Sequence, residues 1–211
     1  MWDLTHPIES GMQTFPGDPP VAVTSAATVD EDGYAVRTVE LGSHTGTHVD
    51  APAHVVADGR TLDEYEPSAF VFDAAVVDCR DLGARAAIPP DRVPTDDALD
   101  CVVFHTGWDD HWGTDAYRDH PSVSPAAAEV CVERGLAVAT DTLNPDPTPS
   151  PAAGPDEPDG VPVHETVLGA GLLVIENLTG LESVPDRFRL SAQPLALGGD
   201  GAPVRAVGRV P

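Results

Sequence analysis

Lysine is absent from this 211-residue chain, and its eleven cationic side chains, all arginine, face 35 aspartates and glutamates. The resulting formal net charge of −24 repels phosphate backbones and anionic lipids, so no nucleic acid and no membrane surface is expected as a partner. Acidic surfaces without lysine suit a salt-saturated cytoplasm, where high salt screens carboxylate repulsion; a halophilic source is predicted. Cysteine is scarce and odd in number: Cys79, Cys101 and Cys131 form no CxxC pair and each lies in an apolar stretch. That pattern predicts buried small hydrophobes rather than disulfides or thiolate ligands. No basic leader and no apolar run of about 18 residues occurs, which predicts no signal peptide, no membrane span and a cytoplasmic protein. There is no HExxH helix and no GxSxG elbow, excluding zincin proteases and serine hydrolases of the elbow type.

What is present fits one globular domain, residues 1–211, with 41% hydrophobic residues. A short apolar start at Trp2–Leu4 leads into a turn-rich loop. Val21–Val29 and Tyr34–Leu41 read as strands joined by EDG in a hairpin, and alternation in the second puts Tyr34, Val36, Thr38 and Glu40 on one face and Ala35, Arg37, Val39 and Leu41 on the other, neither of them cleanly polar. Phe72–Cys79, Asp100–Thr106, Leu136–Thr142 and Leu172–Leu178 carry continuous apolar cores, as strands covered on both faces do. Between the second and third, a helix is predicted with Ser124 as cap, Pro125 in its first turn, Ala128, Cys131 and Val132 on its apolar side and Gly135 at its end. Val163–Leu168 suggests a short helix, and FRLSAQPLAL with PVRAVGRV a closing hairpin around GGDGA. Strands alternating with helices, flanked by hairpins, give a mixed α/β fold. Residues 143–162, with seven prolines and four acidic residues, are read as a long surface loop beside the site, with the character of a lid.

Residues 44–54, HTGTHVDAPAH, hold His44, His48, Asp50 and His54. Neutral imidazoles and carboxylates are the ligands of ions that activate water, provided a coordination position stays open. The run is poor helix material, with Gly42 before it and Pro52 after it. In an extended segment residues 44, 46, 48 and 50 share a face, and Gly46 leaves room between the two imidazoles and lets the chain bend. Three local ligands suffice for a catalytic centre, and a carboxylate such as Asp50 can bridge to a second ion. His164 and Glu176 are the candidates to complete it, since an acid ending the apolar run LLVI is expensive unless paired or coordinated.

At these residues the chain resembles the cyclase family of metal-dependent hydrolases, which includes the bacterial kynurenine formamidases. The likeness runs through DLTHPIESGMQTFPGDPP, the 44–54 cluster, FHTGW at 104–108, TDT at 140–142, VHETVLGAGLLVIENL and the PVRAV tail. It implies a single compact swivelling β/β/α-type fold. It also implies that His44 and His48 hold a first metal, that Asp50 contacts both metals, that His164 holds the second with Glu176 as a second bridging carboxylate, and that His54 is the catalytic proton donor and acceptor. Zinc, as one or two ions, is the implied cofactor, with manganese used by the related isatin hydrolases; an imidazole and carboxylate set without thiolate accommodates either. A homodimer or homotetramer is implied, with neighbouring subunits helping to form the pocket.

The implied activity is hydrolysis of a non-peptide C–N bond in a small-molecule amide, N-formylkynurenine in the formamidases, a step of tryptophan catabolism. Opening of a cyclic amide such as isatin, or of a lactone or ester, is the alternative within the family. A non-catalytic metal- or ligand-binding protein is the alternative outside it, but structural zinc sites are closed and favour cysteine. Where formamidases carry a substrate-contacting tryptophan before the PGD turn, this chain has Phe15, a smaller aromatic platform without an indole N–H. Val55 stands where an aromatic is common. His105, His111 and His120, lining the pocket or on the surface, receive no role from the sequence, nor do Trp108 and Trp112, residues more often core than substrate contacts.

Overall fold

The apolar runs become strands of one sheet that closes on itself. In the computed structural model, which describes residues 1–210, the elements in chain order are β1 (Trp2–Asp3), β2 (Ala22–Ala27), α1 (Val29–Asp32), β3 (Val36–Glu40), β4 (His48–Asp50), β5 (Val71–Asp78), β6 (Ala87–Ile88), β7 (Cys101–His105), β8 (Ser122–Val123), α2 (Pro125–Glu133), β9 (Ala137–Thr140), α3 (Pro162–Gly169), β10 (Val174–Glu176), β11 (Arg187–Pro194) and β12 (Gly201–Arg209). The main sheet runs β1-β12-β11-β5-β7-β9-β10-β4, and β4 also pairs with β12, so the ring is closed into a barrel. Strands β5, β7, β9 and β10 are parallel to one another, while β11, β12 and β4 join antiparallel. Closure removes the unpaired edges that an open sheet would present.

Alternation along these strands separates two apolar layers. Val49, Val103, Ala139, Ile175, Leu190 and Ala202 fill the barrel interior. Their neighbours Val102, Phe104, Val138 and Val174 point outward and pack under α2 and α3 through Ala128, Cys131, Val163 and Val167. Both faces are thereby dry, which accounts for the unbroken apolar runs. Helix α2 forms as its sequence predicts: the Ser124 side chain accepts from the Ala127 N–H, Pro125 opens the first turn, and Gly135 follows in the left-handed region at φ 68°. Val132 is only partly buried, and Ala127 takes its expected place in the core. All three cysteines are free and buried.

Three expectations change. Strands β2 and β3 pair antiparallel as the predicted hairpin, but EDG does not connect them as a simple turn: Thr28 caps the short helix α1, which ends at Gly33 with φ 79°. Strand β3 is exposed along its whole length, so neither predicted face is a core face; this two-stranded sheet stands off the barrel. The proline-rich segment is not a surface loop throughout: Leu143, Asn144, Asp146 and Thr148 are buried, and exposure begins only around residues 151–160. The segment can lie inside because its polar groups are paired, Asn144 Nδ2 donating to Thr148 Oγ1 at 2.6 Å and Arg85 donating to the Thr148 carbonyl at 2.7 Å. No helix among the described residues is long and apolar enough to cross a membrane.

Candidate functional site

Strand register assembles the centre. On β4, His48 and Asp50 are two residues apart and share the outward face, opposite to core-facing Val49. Glu176 on β10 lies directly across from His48 in the antiparallel pairing, and such opposed side chains stand about 5 Å apart. Helix α3 then covers this face and brings in His164. His44 does not belong to the strand. The chain turns at Gly46, whose φ is 60°, so His44 reaches the centre by a bend rather than by extended alternation.

Each imidazole is keyed by a second partner. His48 Nδ1 donates to the Gly46 carbonyl at 2.8 Å, which leaves its Nε2 lone pair facing Asp50 Oδ1 and Glu176 Oε2, both at 3.2 Å. His164 Nδ1 donates to Asp146 Oδ2 at 2.7 Å, turning Nε2 toward Glu176 Oε1 at 3.0 Å and Asp50 Oδ2 at 3.5 Å. His44 presents Nδ1 to Asp50 Oδ1 at 2.7 Å and Nε2 to Asp200 Oδ2 at 2.8 Å. Among buried side-chain atoms, His48 Nε2 and Asp50 Oδ2 have no hydrogen-bond partner. A lone pair aimed at carboxylate oxygens is repulsive unless a cation sits among them, so the donor set fits a metal. Among the described residues three groups have atoms within 4.8 Å of one another: His44/His48/Asp50 and Asp50/His164/Glu176, which share Asp50, and His44/His54/Asp200 beside them.

The electrostatics point the same way. Burial works to depress His48 and His164, yet Asp50 and Glu176 raise both well above the usual histidine range, with Asp146 adding to the rise at His164. Burial likewise opposes ionisation of Asp50, but His48, His164 and His44 hold it well below the carboxylate range. Buried carboxylates at this density require positive charge, whether as protons or as an ion. His54 differs. It ends the turn Pro52–His54, keeps 30% of its side chain exposed, and lies outside both groups that share Asp50, meeting His44 and Asp200 in the third. Burial lowers its pKa despite the pull of Asp50 and so favours the neutral imidazole. Its ring centroid lies 4.0 Å from that of His44 and 5.5 Å from that of His164.

These side chains open onto a pocket of about 210 Å³ whose wall includes Phe15, Gln13, Leu143, Asn144, Val161 and Asn177. All seven residues singled out from the sequence, His44, His48, Asp50, His54, His164, Glu176 and Phe15, line it or, for Asp50, sit beneath it. Asp146, Asp200 and Asn177 were not foreseen. Asp146 also accepts the Val163 and His164 backbone N–H groups at 2.8 and 3.1 Å, capping α3 from seventeen and eighteen residues away. Asn177 adopts φ 56° just after Glu176, and its Oδ1 accepts from Tyr117 at 2.9 Å. The other histidines stay out of the centre. His120 is buried between the Pro121 carbonyl and Thr148 Oγ1, and burial pushes its pKa down to about 4. His6 stacks on Trp112 at 4.0 Å, His105 is buried near Asp141, and His111 is exposed. Trp108 and Trp112 are half-buried rather than core.

Comparison with known proteins agrees with this geometry. The Cyclase family model matches residues 2–147. A kynurenine formamidase from Salinibacter ruber is 33% identical over 97% of this chain and 95% of its own length. Isatin hydrolase A from Ralstonia solanacearum superposes with a TM-score of 0.86 at 25% identity, covering 100% of this chain and 91% of its own. A structure described as a potential metal-dependent hydrolase with cyclase activity gives a TM-score of 0.75 at 26% identity, covering 100% and 98%. With a matched model over more than half its residues and a relative aligned nearly end to end, the chain belongs to the cyclase family.

Proposed function

We propose that this hydrolase of non-peptide C–N bonds cleaves the formyl amide of N-formylkynurenine, adding water to give formate and the free aryl amine. The observation that carries the reading is the pair of ligand groups sharing Asp50, with His48 Nε2 and Asp50 Oδ2 left without hydrogen-bond partners beside an open pocket. His44, His48 and Asp50 would hold one ion, and Asp50, His164 and Glu176 a second. When bound, such an ion supplies a Lewis acid that acidifies water and polarises a carbonyl oxygen. His54 has the position of the proton carrier, on the pocket wall: it takes a proton from the attacking water and delivers it to the leaving nitrogen. Phe15 offers a ring face to an aryl substrate at the pocket wall.

The donor set, three imidazoles and two carboxylates without thiolate, supports zinc, with manganese as the alternative ion. The reading extends to a cytoplasmic, salt-rich setting, supported by the charge of −24. It also extends to a homodimer or homotetramer, supported by exposed Tyr34, just before β3, and by exposed Val36 and Val39 on that strand. Likeness to isatin hydrolase A favours a second substrate reading, the opening of a cyclic aryl amide by the same residues.

The test is a turnover panel in high salt with Zn²⁺ or Mn²⁺, offering N-formylkynurenine, isatin and simple aryl esters. Fastest turnover of N-formylkynurenine is expected, and His54→Ala should keep its metal content while losing about 10²–10⁴-fold in rate. Preferred opening of isatin selects the second reading. Loss of metal in His54→Ala makes His54 a ligand instead, and no turnover of any compound with either ion leaves a binding protein.

A further inference from the structure

One polar group at the centre has no part in the chemistry described so far. Asp200 stands in the turn between β11 and β12, in a sequence of glycines, Gly198, Gly199 and Gly201. The turn is fixed by its backbone: Ala51 N–H donates to the Asp200 carbonyl at 2.8 Å, and Leu62 N–H to the Gly199 carbonyl at 2.9 Å. Both donors flank the segment that carries His54. The Asp200 carboxylate reaches His44 Nε2 at 2.8 Å and lies 3.6 Å from His54 Nδ1. The first distance is a charge-assisted hydrogen bond; the second is too long for one but within reach of a direct charge interaction.

The backbone beside Asp200 is shaped to the same imidazole. A Cβ at Gly201 would lie 2.6 Å from His44 Cε1 and 3.0 Å from Nδ1, with the Val49 carbonyl at 3.2 Å on the other side. The ring therefore rests on bare backbone, and no residue other than glycine leaves it there. Contact with the backbone sets the plane of His44, and the carboxylate sets its tautomer. With the proton on Nε2 and donated to Asp200, the lone pair on Nδ1 is directed at the Asp50 side, toward the ligand group it shares with His48.

Resting on the metal-hydrolase reading above, we infer that Asp200 is a positioning residue with two roles. It locks His44 in the tautomer whose Nδ1 faces the metal centre, and its charge stabilises His54 after that residue has taken up a proton. One carboxylate thus couples metal retention to proton transfer. This explains an acid whose side chain is 42% exposed yet directed inward at two histidines.

Asp200→Ala and Asp200→Asn separate the two roles. Zinc affinity is read by competition with a chromogenic chelator, and kcat and KM on whichever amide or ester the unaltered protein turns over. In Asp200→Ala the zinc dissociation constant should rise about 10–100-fold, the usual effect of removing a partner of a metal-bound histidine. In Asp200→Asn the amide oxygen still accepts from His44, so zinc affinity should stay within a few-fold of the parent. The lost charge should nevertheless lower kcat by about tenfold, toward the smaller effects known for proton-transfer partners, with KM little changed. Combined with His54→Ala, Asp200→Asn should lower kcat no further, since residues acting through one another are not additive. Unchanged zinc affinity in Asp200→Ala overturns the His44 role, and an equal kcat loss with or without His54 overturns the second. The chelator titration needs no substrate. Failure of every substrate would therefore count against the hydrolase reading and leave the metal arm to decide Asp200 by itself. Thermal unfolding of both variants checks that the turn is intact.

Discussion

At the residue scale, Gly46 shows how one position serves the site differently from what its neighbours suggest. It does not make room for an ion between His44 and His48. It bends the chain at φ 60° and aims its carbonyl at His48 Nδ1. A Cβ there would meet only the Met12 methyl at 2.9 Å, a flexible tip that can withdraw. The cost of Gly46→Ala is therefore conformational, about 1–2 kcal/mol for an L-residue held in the left-handed region. The melting temperature should fall by a few degrees for a chain of this size; an unchanged melting curve would show that the turn tolerates a side chain. The histidine cluster was legible because its ligands are packed into eleven residues, and Glu176 because an acid closes an apolar run. Asp146 and Asp200 were not. In a chain with 35 acidic residues, a single carboxylate in a loop carries no local sign of the imidazole it will meet.

At the scale of elements, α3 depends on a residue that precedes it by a long loop. Val161, at its N-cap position, offers no side-chain bond; Asp146 supplies that function from the proline-rich segment and also holds His164 Nδ1. Asp146→Ala would leave the Val163 and His164 N–H groups and the ring nitrogen without acceptors in a buried place. Each unsatisfied buried group costs about 1–3 kcal/mol. A drop in melting temperature together with weaker zinc binding is expected, and full zinc affinity in a destabilised variant would confine Asp146 to a capping role. Elements with local signatures were readable: α2 with its Ser124 cap, the four apolar strands, the closing pair β11 and β12. The barrel was not, because β4 meets β12 across some 150 residues of sequence and only register, Gly201 opposite Asp50, records the contact. The β2–β3 pairing was legible, but its exposure was not: Val36 and Val39 are apolar, yet nothing among the described residues covers them.

At the scale of the whole molecule, charge is the unresolved force. Among the described residues, seven arginines form ion pairs with carboxylates: Arg80, Arg85, Arg92, Arg134, Arg187, Arg189 and Arg205. Most of these pairs are exposed, where each contributes about 0–1 kcal/mol. The remaining acids outnumber them, and a net charge of −24 makes self-repulsion the larger effect. Salt weakens both attractions and repulsions, so the sign of its effect depends on which are more numerous; here repulsions are. The screening length falls from about 10 Å at 0.1 M to about 3 Å at 1 M, close to the length of direct contacts such as Arg80–Asp78 at 2.7 Å, so charges in contact keep more of their interaction than charges farther apart. Repulsion between acids is thus screened more fully than the arginine contacts. The melting temperature should therefore climb as KCl is raised from 0.1 M to 2 M, with the steepest gain below 1 M. An uncharged osmolyte at equal osmolality should reproduce little of that gain. A flat or falling curve in KCl would mean that the acidic surface does not limit stability, and the inference of a salt-rich setting would lose its physical basis.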